Sequence, residues 1–100
     1  MIDWARVVGF DWDAGNERKR LDKHRVSQGE AEQPFFNDPL LVLEDNRHSF
    51  AKARFHALGR TNEGRRLHVT FPLRRDGALI RVISARDMSA RERLAYEKGP

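Results

Sequence analysis

The sequence predicts an α+β fold, an antiparallel β-sheet packed by two N-terminal helices and a C-terminal helix, in a single domain over residues 1–100. Three observations carry that prediction. Ser27–Glu30 and Ser89–Glu92 both have the Ser-x-x-Glu spacing of a capping box, which marks a helix start. Arg66–Phe71 alternates, with Leu67, Val69 and Phe71 on one face and Arg66, His68 and Thr70 on the other, the period of a half-buried strand. Arg75-Asp76-Gly77 then stands between two strand-like runs, the strongest hairpin signal in the chain.

Taken in order, Ala5–Phe10 is short and apolar and reads as a first strand. Asp13 caps a helix over 14–24, whose wheel sets Asn16, Arg20, Lys23 and His24 on one side and Ala14 and Leu21 opposite. That helix docks by a thin apolar edge and turns a basic face outward. The helix opened by Ser27 is short, because Pro34 lacks a backbone donor and clashes with the preceding turn. Phe35 and Phe36 anchor its exit in the core, and Asn37-Asp38-Pro39 is a turn. Leu40–Glu44 and Arg54–Gly59 are strands joined by a polar connection, and Thr61–Gly64 turns the chain into Arg66–Phe71, which Pro72 ends. Ala78–Ala85 follows as one strand. Alternation through Arg81–Arg86 sends Arg81, Ile83 and Ala85 one way and Val82, Ser84 and Arg86 the other. Arg81 then needs a carboxylate, Glu44 or Asp87, or a cleft to line, since a lone charge among apolar neighbours is costly. The last helix runs from Ser89 to Glu97.

One hundred residues bury one modest core. The chain has no cysteine, hence no disulfide framework and no thiolate zinc site, which fits a reducing compartment. No apolar run approaches the roughly 20 residues of a membrane span, and the acidic start is unlike a secretory signal. A soluble cytoplasmic protein with no membrane partner is expected.

Charge is segregated. Residues 1–50 carry a net −3 and residues 51–100 a net +7, and 15 of the 19 basic residues are arginine. A positive half concentrates polyanions, and arginine makes the bidentate phosphate contacts that lysine cannot. His24, His48, His56 and His68 fall on four separate elements with no metal-ligand spacing, so no metal is expected. No phosphate loop, nucleophile elbow or dinucleotide fingerprint is present. RNA cleavage by the substrate's own 2′-hydroxyl needs no such device. It needs cations on the scissile phosphate and groups that move two protons.

Several strings in the chain match a family pattern: Phe10-Asp11-Trp12-Asp13, then Lys23-His24, Val26-Ser27 and Glu30-Ala31. They are followed by Asp38-Pro39, Arg54-Phe55, Leu58-Gly59, Gly64-Arg65, and the closing run Arg81-Val82-Ile83-Ser84-Ala85-Arg86 with Glu92-Arg93 and Tyr96. In this order and spacing the chain resembles the BrnT family of type II toxins, RelE-like ribonucleases, over about Phe10 to Tyr96. It departs from the pattern at Asn16 and Arg20, where relatives carry Lys and Asn, at Arg25 in place of glycine, and at Pro34.

The resemblance implies a RelE-like fold and a cofactor-free toxin that cleaves RNA to inhibit translation and arrest growth. It implies neutralisation by a BrnA-like ribbon-helix-helix antitoxin, in a complex of two toxins with two antitoxins that meets operator DNA only through the antitoxin. Carried onto this chain, Arg65, Arg81 and Arg86 bind phosphate and stabilise transition-state charge, and Lys23 or His24 handles the proton. Arg20, Glu44, Arg54 and Tyr96 are secondary candidates, with Tyr96 alternatively packing the last helix and Glu44 alternatively pairing with a strand arginine. A non-catalytic RNA- or ribosome-binding module, or an inactive homologue acting only through antitoxin binding, is the competing expectation.

Overall fold

The computed structural model describes residues 2–12, 23–45 and 53–99. The helix expected over 14–24 lies outside the described residues except at its very end. Within them the protein is α+β, with two α-helices and two sheets. Strand β1 is Gly9–Phe10, helix α1 is Gln28–Glu32, β2 is Leu41–Asp45, β3 is Arg54–Arg60 and β4 is Arg66–Phe71. There follow β5 (Leu73–Arg74), β6 (Leu79–Ile80), β7 (Ser84–Asp87) and helix α2 (Ala90–Lys98). No helix among these residues is long and apolar enough to cross a membrane.

The larger sheet is antiparallel, in the order β2-β3-β4-β7. Its strands alternate as the sequence demands. Phe55, Ala57, Leu67, Val69, Phe71 and Ala85 are buried and join Val26, Ala31, Ile80 and Val82 in the core. Helix α1 covers this face, and Gly59 lets Pro34 close in: a Cβ at Gly59 would stand 2.8 Å from the Pro34 Cβ. Both capping boxes form. Ser27 Oγ accepts from the Glu30 N–H and Ser89 Oγ from the Glu92 N–H, while each glutamate accepts from the serine's own N–H.

Four expectations need correction. Ala5–Phe10 is not one strand: a 3-10 turn takes Trp4–Arg6, and only Gly9–Phe10 pairs, in parallel with β6. The smaller sheet, β1-β6-β5, is therefore mixed rather than antiparallel. Only one of the two phenylalanines enters the core. Phe35 packs edge-on to Phe71 with ring centroids 5.1 Å apart, whereas Phe36 is 77% exposed. At three residues per turn, neighbours in the 3-10 segment Gln33–Phe36 diverge by about 120° and cannot both face inward. Finally, Ala78–Ala85 is not one strand. The turn at Arg75-Asp76-Gly77 forms with positive φ at all three residues, but the chain leaves β6 after Ile80 and starts β7 at Ser84. Between them the Arg81 N–H bonds to Pro72 O and the Ile83 N–H to Thr70 O. Pro72 has no N–H to continue a ladder, so the strand switches sheets there. Val82 is consequently 1% exposed, on the core side instead of beside Ser84 and Arg86.

Candidate active site

The second face of the large sheet carries polar chemistry. Cross-strand register places His56 opposite Thr70 and Leu43, His68 opposite Leu58 and Arg86, and Thr70 opposite Ser84. Paired residues share a face, so these side chains gather on the side away from α1. Helix α2 lies over one end of it and delivers Glu92. Its Tyr96 is buried, the hydroxyl donating to Pro39 O at 2.7 Å.

A continuous polar row results. His56 Nε2 stands 3.1 Å from Asp45 Oδ2, and His56 Nδ1 is 3.0 Å from His68 Nε2 and 3.0 Å from Thr70 Oγ1. The imidazoles meet edge to face with centroids 5.1 Å apart. His68 Nδ1 lies 2.7 Å from Glu92 Oε2 and 2.9 Å from Arg86 Nη2. Arg86 holds Glu92 as a fork, Nη1 to Oε1 at 2.8 Å and Nη2 to Oε2 at 3.0 Å.

The proton bookkeeping closes in two ways. With Nδ1 deprotonated, His68 accepts from Arg86, donates from Nε2 to His56, and His56 donates from Nε2 to Asp45. With Nδ1 protonated, His68 donates to Glu92. His68 thus keeps a partner at Nδ1 in either state. Burial pushes its pKa below the usual imidazole value, against the pull of Glu92. Glu92 is held down to about 2, first by the Arg86 hydrogen bonds and then by the Ser89 N–H.

Beside this row a groove of about 800 Å³ opens between β2 and α2. Leu40, Leu41, Leu43 and Leu58 give it apolar walls, and His56, His68, Arg91 and Glu92 supply the polar groups. An apolar cleft of this size with a few convergent polar side chains is the usual form of a small-ligand site.

The residues expected from sequence separate into distinct places. Arg86 belongs to the polar row. Arg65 faces the other way. Its Nε and Nη2 bond to the Asp87 carboxylate at 2.7 and 3.2 Å, and its Nη1 to Glu30 Oε2 at 3.2 Å and Arg25 O at 2.8 Å. Nη2 also reaches His24 O at 3.2 Å, so all five guanidinium N–H groups have acceptors within the protein. Asp87 is paired with the buried Leu67, which sets this cluster on the α1 face, opposite to Arg86. Arg65 holds the Asp87 carboxyl below its usual value, with His24 adding to the effect, and the Ser27 N–H and then Arg65 do the same to Glu30.

Lys23 and His24 are exposed at the turn that Arg65 fastens. Arg81 is half-buried on the sheet-switching segment and bonds to Asp11 Oδ2 at 3.2 Å, an ion pair reached through neither of the carboxylates expected from sequence. Glu44 is exposed on the outermost strand β2, and Arg54 is exposed at the start of β3. Arg20 lies outside the described residues. The residues the sequence did not single out are His56, His68 and Glu92. Their meeting depends on strand register, although the i, i+2 alternation of Arg66–Phe71 already placed His68 on the polar face of its strand.

Against known proteins, a family model described as ribonuclease toxin, BrnT, of type II toxin-antitoxin system matches residues 12–92. No curated protein matches the chain.

Proposed function

The chain belongs to the BrnT family of ribonuclease toxins of type II toxin–antitoxin systems, and on that premise we propose that it is a metal-independent endoribonuclease that acts in the cytoplasm. The observation that supports this most is the polar row beside the β2 groove, in which two groove-lining imidazoles meet each other and His68 meets the guanidinium that forks onto Glu92, without any cofactor being needed for the chemistry.

The reaction is transphosphorylation. The ribose 2′-oxygen loses its proton and attacks the adjacent phosphorus, the bond to the 5′-oxygen breaks, and that oxygen takes up a proton. A 2′,3′-cyclic phosphate and a 5′-hydroxyl result. Arg86 neutralises the charge that grows on the phosphoryl oxygens. His68, which finds a partner whether protonated or not, is suited to accept and return a proton. Arg91 on the groove wall, with Lys23, His24 and Arg81 outside the groove, contacts phosphates along the strand. Arg65 is a positioning residue, which fixes the turn bearing Lys23 and His24 to the end of β7.

Cleavage stops translation and growth. A cognate antitoxin of the BrnA type, with a ribbon-helix-helix DNA-binding part, holds the toxin silent in a two-plus-two complex, and operator DNA is met only through that antitoxin. A net charge of +4 makes an acidic antitoxin segment the complementary partner.

The test is expression without antitoxin, together with cleavage of a defined RNA by the purified chain in excess chelator. Growth arrest and chelator-insensitive cleavage are expected, and Arg86→Ala should lower the cleavage rate about 100-fold or more. A wild-type chain that leaves both growth and RNA intact would remove the proposal.

A further inference from the structure

In the free protein the most strongly bound anion on the polar face is the protein's own. Four donors converge on the Glu92 carboxylate: Arg86 Nη1 and Nη2, His68 Nδ1 when protonated, and the Ser89 N–H at 2.9 Å. A planar guanidinium fork with a neighbouring imidazole is equally well matched to two oxygens of a phosphodiester. We propose that Arg86 and His68 form a phosphodiester-binding subsite, filled by Glu92 until RNA displaces it.

The inference rests on the ribonuclease reading and specifies how its site is entered. Glu92 and His68 both line the open groove, so an incoming strand reaches this carboxylate directly. The exchange replaces one anion by another and leaves no buried charge unpaired, which is what makes breaking a buried ion pair expensive. Glu92 is only partly buried, with 22% of its side chain exposed, and its carboxylate can turn to water. The helix start survives, because Ser89 Oγ still accepts from the Glu92 backbone N–H. The other groups facing the pair keep their places: Asp45 from β2 behind His56, Thr70 from β4, and Arg91 from α2 as a further phosphate contact.

Glu92→Gln separates this from a purely structural ion pair. Glutamine keeps the length and the capping box, which accepts either residue at this position, and removes the competing charge. The probe is a fluorescein-labelled 2′-O-methyl oligoribonucleotide, which cannot be cleaved because its attacking hydroxyl is blocked. Folded Glu92→Gln should bind it about tenfold more tightly than wild type, a gain of about 1.4 kcal/mol. Adding Arg86→Gln should abolish the gain.

A structural ion pair would instead lower stability with no gain in affinity. Equal or weaker binding by folded Glu92→Gln, or a gain that survives in the double variant, overturns the proposal. A second measurement needs no variant. Carboxyl NMR of wild-type Glu92 should show its pKa rise from about 2 when the probe saturates the protein, and an unchanged value would also overturn the proposal. Cleavage of unmodified RNA by wild type without a Glu92→Gln gain sinks this inference alone. The gain without wild-type cleavage keeps the subsite and sinks the ribonuclease reading.

Discussion

At the scale of single residues, two arginines of similar sequence context have different work. Arg65 spends every donor inside the protein, whereas Arg86 turns its fork to Glu92 and His68 at the margin of a groove and adds one bond to Asp87 O. Arg65→Ala would strip Asp87 and Glu30 of their counter-ion and release the carbonyls of His24 and Arg25. The side chain is 27% exposed, so the cost is discounted for solvent screening, and about 2 kcal/mol is expected. Urea unfolding measures it, and Arg65→Lys should recover little, since an ammonium cannot fork. An Arg65→Ala protein as stable as wild type would contradict the positioning role. Sequence could nominate both arginines but could not tell them apart. The difference lies in which face of β7 each one meets, and Asp87 and Arg86 point to opposite faces although adjacent.

At the scale of elements, legibility followed locality. Arg66–Phe71 was readable because one face is buried and the other is not, and both capping boxes because a helix start is encoded within four residues. What could not be read depends on distant partners. The break in Arg81–Ile83 arises from Pro72, between β4 and β5, and the His56–His68 contact from a register set by the whole β3–β4 pairing. Phe36 turns outward because adjacent residues of the 3-10 segment diverge by about 120°, so Phe35 takes the inward position and leaves its neighbour exposed. The close approach of the 3-10 segment to β3 yields a prediction of its own. Gly59→Ala would place a methyl 2.8 Å from the Pro34 Cβ and 3.2 Å from Leu40 Cδ1. Pro34 is rigid and buried, so the overpacking should cost about 2 kcal/mol in a thermal or urea melt. A neutral result would mean that the segment before β2 is free to retreat.

At the scale of the whole molecule, the charge asymmetry seen in the sequence is carried by both sheets and the last helix. If phosphates are its counterpart, binding of the uncleavable oligonucleotide must weaken with salt. Contact with about three phosphates predicts a loss of about twentyfold between about 50 and 200 mM salt. Titration by fluorescence anisotropy gives the slope, and a flat response would reassign the basic half to an acidic antitoxin segment. The fold class was recoverable from sequence because helix starts and strand periods are local. The division into two sheets was not, since it turns on one proline and three residues of irregular chain. That short stretch has a mechanical meaning. Residues 79–87 are sewn first into the small sheet and then into the large one, so the backbone at 81–83 is the seam between them. A proteolytic nick at that seam would leave the small sheet whole in the N-terminal piece and cut β7 and helix α2 loose from the other strands of the large one, and Arg81, tethered to Asp11, sits on the stitch that keeps them one body.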